Sequence, residues 1–169
     1  MASGDLLDIP AVTVPGLANV PALTRVTGNS SEAFWTYAFD HTTQETIDFT
    51  GVMTEGYAGA DIDVCIPFSM ESDASNNVHV EIAWRRLDSA EDIDTTSHTY
   101  TYQSATVAVP NAVGKNAAIE ITFTQAQADS IAAGEPYILR VRRAPANVND
   151  DANSSDMYLW YEGIRVKEA

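Results

Sequence analysis

PYILRVRRA (136–144) and MYLWYEGIRVK (157–167), with PANVNDDANSSD (145–156) between them, decide the fold. The first run alternates apolar Ile138 and Leu139 with Arg140, Arg142 and Arg143. The last is aromatic and β-branched, and Gly163 is its only weak point. Asn, Asp, Ser, Pro and Ala make up almost all of the connecting segment, so the three together read as two sheet strands joined by a turn-rich loop. Met157, Tyr158, Leu159, Trp160 and Tyr161 in succession predict a strand covered on both faces, since each large aromatic buries roughly 150–250 Å².

Upstream the rhythm is the same. AFWTYAF (33–39), ETIDFTGVM (45–53), IDVCIPFSM (62–70), VHVEIAWRRLD (78–88), HTYTYQSATVAVP (98–110) and AAIEITFT (117–124) are short β runs separated by turn-rich segments. Pro67 marks its run as an edge strand or the site of a bulge. Thr124 and Gln127 have capping-box spacing and Gly134 stands where a helix would end, which predicts one short helix over QAQADSIAA. The expected fold is therefore all-β: an antiparallel two-sheet β-sandwich, jelly-roll-like, with one short helix.

Residues 1–31 read differently. Pro10, Pro15 and Pro21 recur among Leu, Val and Ala, which disfavours helix and interior strand and favours an extended chain. The expected division is an extended N-terminal arm (1–31) and a β-sandwich domain (32–169). Leu6, Leu7, Ile9, Pro10, Val12, Val14, Pro15, Leu17, Val20, Pro21 and Leu23 are its candidate contact residues, against its own domain or against a neighbouring subunit or capsid surface.

The chain has 169 residues, 45% of them apolar, enough for one domain with a sizeable core. Nine Lys and Arg against 24 Asp and Glu give a net charge of −15. Such a chain repels phosphate backbones and anionic bilayers, which argues against nucleic-acid and membrane partners. No apolar run approaches the ~20 residues of a membrane helix. The acidic N-terminus lacks secretory-signal features, so synthesis in the cytoplasm is expected.

Motifs for chemistry are sparse. His41, His79 and His98 lie on separate segments without metal-ligand spacing. Cys65 is the single cysteine and sits between Val64 and Ile66, as a buried hydrophobe would. Asp61 and Asp63, then Asp88, Glu91, Asp92 and Asp94, then Asp150, Asp151 and Asp156 form acidic groups that read as solvated turns. A structural Ca²⁺ there is open but not predicted, because the spacing matches no EF-hand. Neither a nucleophile elbow nor a phosphate loop is present, so no catalytic, cofactor or metal residue is assigned and an enzyme is not expected. Arg85, Arg86, Arg140, Arg142 and Arg143 are expected to pair with carboxylates. Trp35, Tyr37, Tyr57, Tyr100 and Tyr102 are the candidates for a sugar-stacking platform.

FWTYAFDHTTQETIDFTGVMTEGY (34–57), AWRRLD (83–88) and DSIAAGEPYILRVRRAPANVNDDANSSDMYLWYEGIRV (129–166) carry a resemblance. In this order they resemble a recurrent β-sandwich virion protein of tailed bacteriophages, over about residues 33–167. The resemblance implies a virion component assembled in the host cytoplasm. It implies first a capsid decoration (cement) protein, a homotrimer bound to the major capsid protein at the capsid surface. The alternative it leaves is a tail- or fibre-associated module that binds host glycans.

Overall fold

The computed structural model describes residues 11–12, 19–27, 33–72, 76–88, 90, 98–110, 115–152 and 154–169. Eleven strands occur among them: β1 (Ala11–Val12), β2 (Ala22–Thr27), β3 (Ala33–Phe39), β4 (Thr46–Val52), β5 (Ile62–Met70), β6 (Asn77–Arg86), β7 (Gln103–Ala108), β8 (Ala117–Phe123), β9 (Pro136–Arg143), β10 (Met157–Leu159) and β11 (Arg165–Glu168). All pairings are antiparallel. One sheet runs β1-β4-β9-β6-β7. In the other, β8 lies along one side of β5 while β10 and β11 share its opposite side end to end, and β3 and β2 follow β10. The architecture is the expected jelly-roll-like sandwich.

The period-2 pattern fixes which face is inside, because successive side chains of a strand point to opposite faces. Ile47, Phe49, Val80, Ile82, Trp84, Tyr137, Leu139 and Val141 point inward from the first sheet. Tyr37, Phe39, Ile62, Val64, Ile66, Phe68, Ile121 and Phe123 meet them from the second. Aromatic edges bridge the layers, Trp84 to Phe123 at 6.1 Å and Tyr37 to Phe49 at 6.4 Å between ring centroids. Burying each such side chain stabilises the fold by about 1.5–3 kcal/mol, which makes this apolar layer the main source of sandwich stability.

Four sequence expectations change. The capping box at Thr124 forms: Gln127 Oε1 accepts from the Thr124 amide at 2.8 Å, and Thr124 Oγ1 accepts from the Gln127 amide at 3.3 Å. No helix follows. Asp129 and Ser130 adopt φ of 58° and 53°, and two successive left-handed residues end the turn after one hydrogen-bonded cycle. The helical piece among the described residues is instead a single 3-10 turn, Tyr161–Gly163.

That turn breaks the C-terminal strand. Leu159 faces Phe68 and Arg165 faces Cys65, so residues 160–164 stand against only 66–67. The interruption lies beside Pro67, which has no N–H to give; its carbonyl accepts from the Trp160 amide at 3.0 Å. β5 is thus central, and the proline marks a bulge. The C-terminal strand is also covered on one face only. Met157 and Leu159 are fully buried, whereas Tyr158 and Trp160 are half-buried on the outer side.

Residues 98–102 are not strand. Finally, the described part of the arm pairs with the sandwich. β1 joins β4, and β2 joins β3 through six residue pairs. Pro21 is buried, Val20 half-buried and Leu23 exposed, while Leu6, Leu7, Ile9, Pro10, Val14, Pro15 and Leu17 lie outside the described residues.

Candidate functional site

The two outer faces of the sandwich differ in kind. On the five-stranded sheet, the outward positions of β4, β9 and β6 place Asp48, Arg140 and Ala83 in one cross-strand row and Thr46, Arg142 and Glu81 in the next. Arg140 donates from Nε and Nη2 to the two oxygens of Asp48, both at 2.7 Å. Burial pulls the Arg140 guanidinium down, but the hydrogen bonds and charge of Asp48 outweigh it and the net shift is upward. Arg142 donates to Glu81.

Residues 98–102 lie over this face. Tyr100 covers Arg140 at 3.8 Å from guanidinium carbon to ring centroid, and Tyr102 covers Arg142 at 3.6 Å. Burial also raises the Tyr100 hydroxyl, against the opposing charge of Arg140. Each ring therefore has a guanidinium on one side, and the carboxylates below are already bonded. This face is closed by its own residues.

The six-stranded sheet presents an open face. The outward residues of β5 are Asp63, Cys65, Pro67 and Ser69, in positions about 6.6 Å apart over a track of roughly 20 Å. Register builds rows across it: Thr122, Asp63 and Lys167 from β8, β5 and β11, then Glu120, Cys65 and Arg165, then Ala118 and Pro67. Gly163 packs so closely that a Cβ there would lie 2.6 Å from Pro67 Cγ. The floor is low because its residues are small or flat. Its walls are long charged side chains.

Two adjoining depressions of about 350 and 260 Å³ share Cys65, Glu120 and Lys167; the first adds Asp63, Val64 and Thr122, the second Arg165. The larger is within the range of small-ligand sites, roughly 300–1,000 Å³. Asp63 accepts from the Thr122 hydroxyl at 2.6 Å and pairs with Lys167 at 3.2 Å. The Thr122 bond, opposed by burial and aided by Lys167, holds the Asp63 carboxyl below its usual range. Arg165 Nη2 lies 3.3 Å from Cys65 Sγ, a weak acceptor.

The far end of the same face is aromatic. Trp160 donates from Nε1 to Ser69 Oγ at 3.1 Å, and its ring stacks on Phe34 with centroids 5.1 Å apart and planes 29° from parallel. Phe34 is 41% exposed. The face therefore joins a flat apolar surface to a trough of hydrogen-bonding groups, on a rigid sheet.

Of the five aromatic residues singled out in the sequence, the structure brings together Tyr100 and Tyr102, on the closed face. Tyr37 and Tyr57 belong to the core, and Trp35 is 52% exposed beside Arg25 at the β2–β3 margin. Phe34 and Trp160 were missed. The outward phase of the last strand was the available signal, and reading that strand as doubly covered concealed it.

Most of the remaining candidates among the described residues have structural partners. Arg86 lies 3.7 Å from Asp88 and 3.8 Å from Glu135, Arg143 pairs with Asp150, and Arg85 hydrogen-bonds Tyr100. His79 Nδ1 contacts Thr106 at 2.8 Å, and His98 meets the edge of Tyr100. Cys65 is 8% exposed. Asp151 accepts from the Asn77 amide, and Asp61 is exposed. Glu91, Asp92 and Asp94 lie outside the described residues. Asp40, His41 and Asp156 converge within 4.8 Å. Asp40 there accepts from the Thr42 hydroxyl and the Thr42 and Thr43 amides, while Asp156 accepts from the His41 amide and contacts its ring. These groups tie together a turn.

No family model matches the chain, and no curated protein matches it. Solved structures with a similar fold include TmCBM61 in complex with β-1,4-galactotriose, at 10% identity and TM-score 0.44, covering 98% of this chain and 92% of that one. The K3 adhesin domain of Lys-gingipain from Porphyromonas gingivalis shows 10% identity and TM-score 0.49, covering 99% and 100%. Tailspike protein 4 of bacteriophage CBA120, in its enzymatically active domain, shows 7% identity and TM-score 0.41, covering 94% of this chain and 18% of that one. Similarity at this level concerns chain path and carries no ligand or activity across.

Proposed function

We propose that this chain is a non-enzymatic glycan-binding module of a phage-type virion, attached to the tail or its fibres. Its saccharide lies along the outer face of the six-stranded sheet. One observation carries the reading: the Trp160–Phe34 stack and the Glu120/Arg165/Lys167 trough occupy one open face of one rigid sheet. A sugar ring has apolar C–H faces and a polar rim, so it is recognised by an aromatic surface together with directional donors and acceptors. The phage placement rests on the sequence resemblance. The test is a glycan array probed with the whole chain and with Trp160→Ala. Binding lost in the variant, with its thermal midpoint near that of the parent, supports the reading; no glycan bound by the parent overturns it.

A second reading, capsid decoration, is favoured by the exposure of Leu23 (53%), Phe34 (41%) and Trp35 (52%) on neighbouring strands β2 and β3. Such an apolar margin fits a protein partner, either the major capsid protein or a second copy. Copy number in purified virions separates the two. Hundreds of copies in simple ratio to the shell protein mean decoration, and a few dozen at most mean tail or fibre.

A further inference from the structure

We infer that the six-stranded face selects an uncharged oligosaccharide, and that Glu120 is its specificity-determining residue, accepting hydrogen bonds from two neighbouring sugar hydroxyls. This rests on the glycan reading above and narrows its ligand class. The central row of the trough is dipolar: Glu120 on β8 and Arg165 on β11 flank Cys65 on β5. A ligand carboxylate over this row meets the charge of Glu120, and a ligand ammonium meets that of Arg165. Like-charge contacts of either kind are costly. A hydroxyl meets neither penalty.

Glu120 is also the acceptor left for a ligand. Asp63 is taken by the Thr122 hydroxyl and by Lys167. Arg165 is likewise engaged, with Cys65 Sγ among its neighbours. Glu120 is exposed, and its carboxylate accepts no hydrogen bond and pairs with no cation among the described residues. A carboxylate accepts through two oxygens, so it matches two adjacent hydroxyls better than one. Hydrogen bonds to an ionised group are also roughly twice as strong as those between neutral partners.

The distance to the aromatic end sets a ligand length. Cys65 marks the Glu120 row and Ser69 the position of Trp160, a separation of about 13 Å along β5. One sugar ring cannot span that track. The ring stacked on Phe34 and Trp160 and the ring whose hydroxyls meet Glu120 therefore belong to different units of one saccharide chain.

The experiment is an array of neutral oligosaccharides of graded length, printed beside uronic-acid and free-amino-sugar counterparts. It is probed with the parent chain, Glu120→Gln and Trp160→Ala, and the best neutral ligand is then remade lacking each hydroxyl in turn. The parent is expected to bind neutral oligomers above their charged counterparts and above the single sugar. Glu120→Gln should keep the parent's thermal midpoint and weaken neutral binding by about tenfold, the contribution of one hydrogen bond to a charged group. One deoxy ligand should cost the parent a similar factor and cost Glu120→Gln little, because that bond is already gone. Trp160→Ala should weaken all members alike. A parent that prefers a charged counterpart, or binds the single sugar as well as the oligomers, overturns the inference and leaves the glycan reading standing. So does parent-like binding by Glu120→Gln, or a deoxy series in which every loss is the same for both chains. Binding of none overturns both.

Discussion

Arg143 faces Asp150 across two 2.9 Å hydrogen bonds, and both side chains are wholly inaccessible to solvent. Arg143 also donates to the carbonyls of Ser155 and Ala152 at 2.8 and 2.7 Å, and Asp150 accepts from the His79 amide at 3.1 Å. The guanidinium thus holds the crossing from β9 in one sheet to β10 in the other. Breaking such a buried pair from one side leaves an uncompensated charge. Arg143→Ala and Asp150→Asn are each expected to lower unfolding free energy by about 3–5 kcal/mol, read from urea denaturation. Arg143→Lys should recover little, because an ammonium cannot reproduce the planar fork.

Tyr137 and Gly51 form a second close relationship. The Tyr137 hydroxyl is buried without a hydrogen-bond partner among the described residues, and burial raises its pKa. A Cβ built on Gly51 would lie 2.6 Å from that oxygen and 2.8 Å from the ring carbon bearing it. Gly51→Ala should therefore cost about 1–3 kcal/mol through overpacking. Tyr137→Phe should be neutral or stabilising, because it removes an unsatisfied buried hydroxyl. In the double variant the alanine should cost less than it does alone, as a double-mutant cycle by thermal unfolding would register.

Asp40 supplies a pH dependence. Hydrogen bonds from the Thr42 hydroxyl and from the Thr42 and Thr43 amides pull its carboxyl from 3.8 to about 2. A carboxyl lowered in the folded state contributes stability that is complete above its unfolded value and disappears as pH falls through the folded one. The difference in thermal midpoint between the parent and Asp40→Asn should stay constant from neutral pH to about 4. Below that it should shrink towards pH 2. A difference that does not change with pH over this interval contradicts the assignment.

The arm yields a fourth prediction. Removing residues 1–31 takes β2 from β3 and bares a strand edge carrying Phe34 and Trp35. The truncated domain should still unfold cooperatively, with its midpoint lowered by roughly 5–10 °C, the shift that a loss of about 2–3 kcal/mol gives a domain of this size. It should also self-associate with concentration, because unpaired edges template further pairing. Light scattering and calorimetry read both effects. Loss of the cooperative transition would make the arm part of the core.

Much of the sandwich could be read from the chain because alternation is a local property. AFWTYAF and IDVCIPFSM coincide with β3 and β5, and AAIEITFT overruns β8 by one residue. Features that depend on distant partners were concealed. The helix expected after Thr124 fails at Asp129, where Oδ2 accepts from the Arg86 amide and the chain turns left-handed. β2 was hidden because nearby prolines argue against strand, although none lies within Ala22–Thr27. Tyr100 and Tyr102 alternate as a strand would, yet they are held by arginines on another strand. The trough has no local signature at all, since its rows are composed of residues from β5, β8 and β11 that only register brings together.

The five-against-two mismatch beside Pro67 separates recognition from scaffolding. Met157–Leu159 and Arg165–Glu168 form separate ladders on either side of 160–164; within that insert Ile164 is buried and Gly163 lies against Pro67, while Trp160 is on the outer side. The outward side chain at 160 can change without sliding either flanking strand out of phase. A lineage under pressure to follow a changing surface could therefore exchange its contact residue there, while the inward face of the same strand stays fixed.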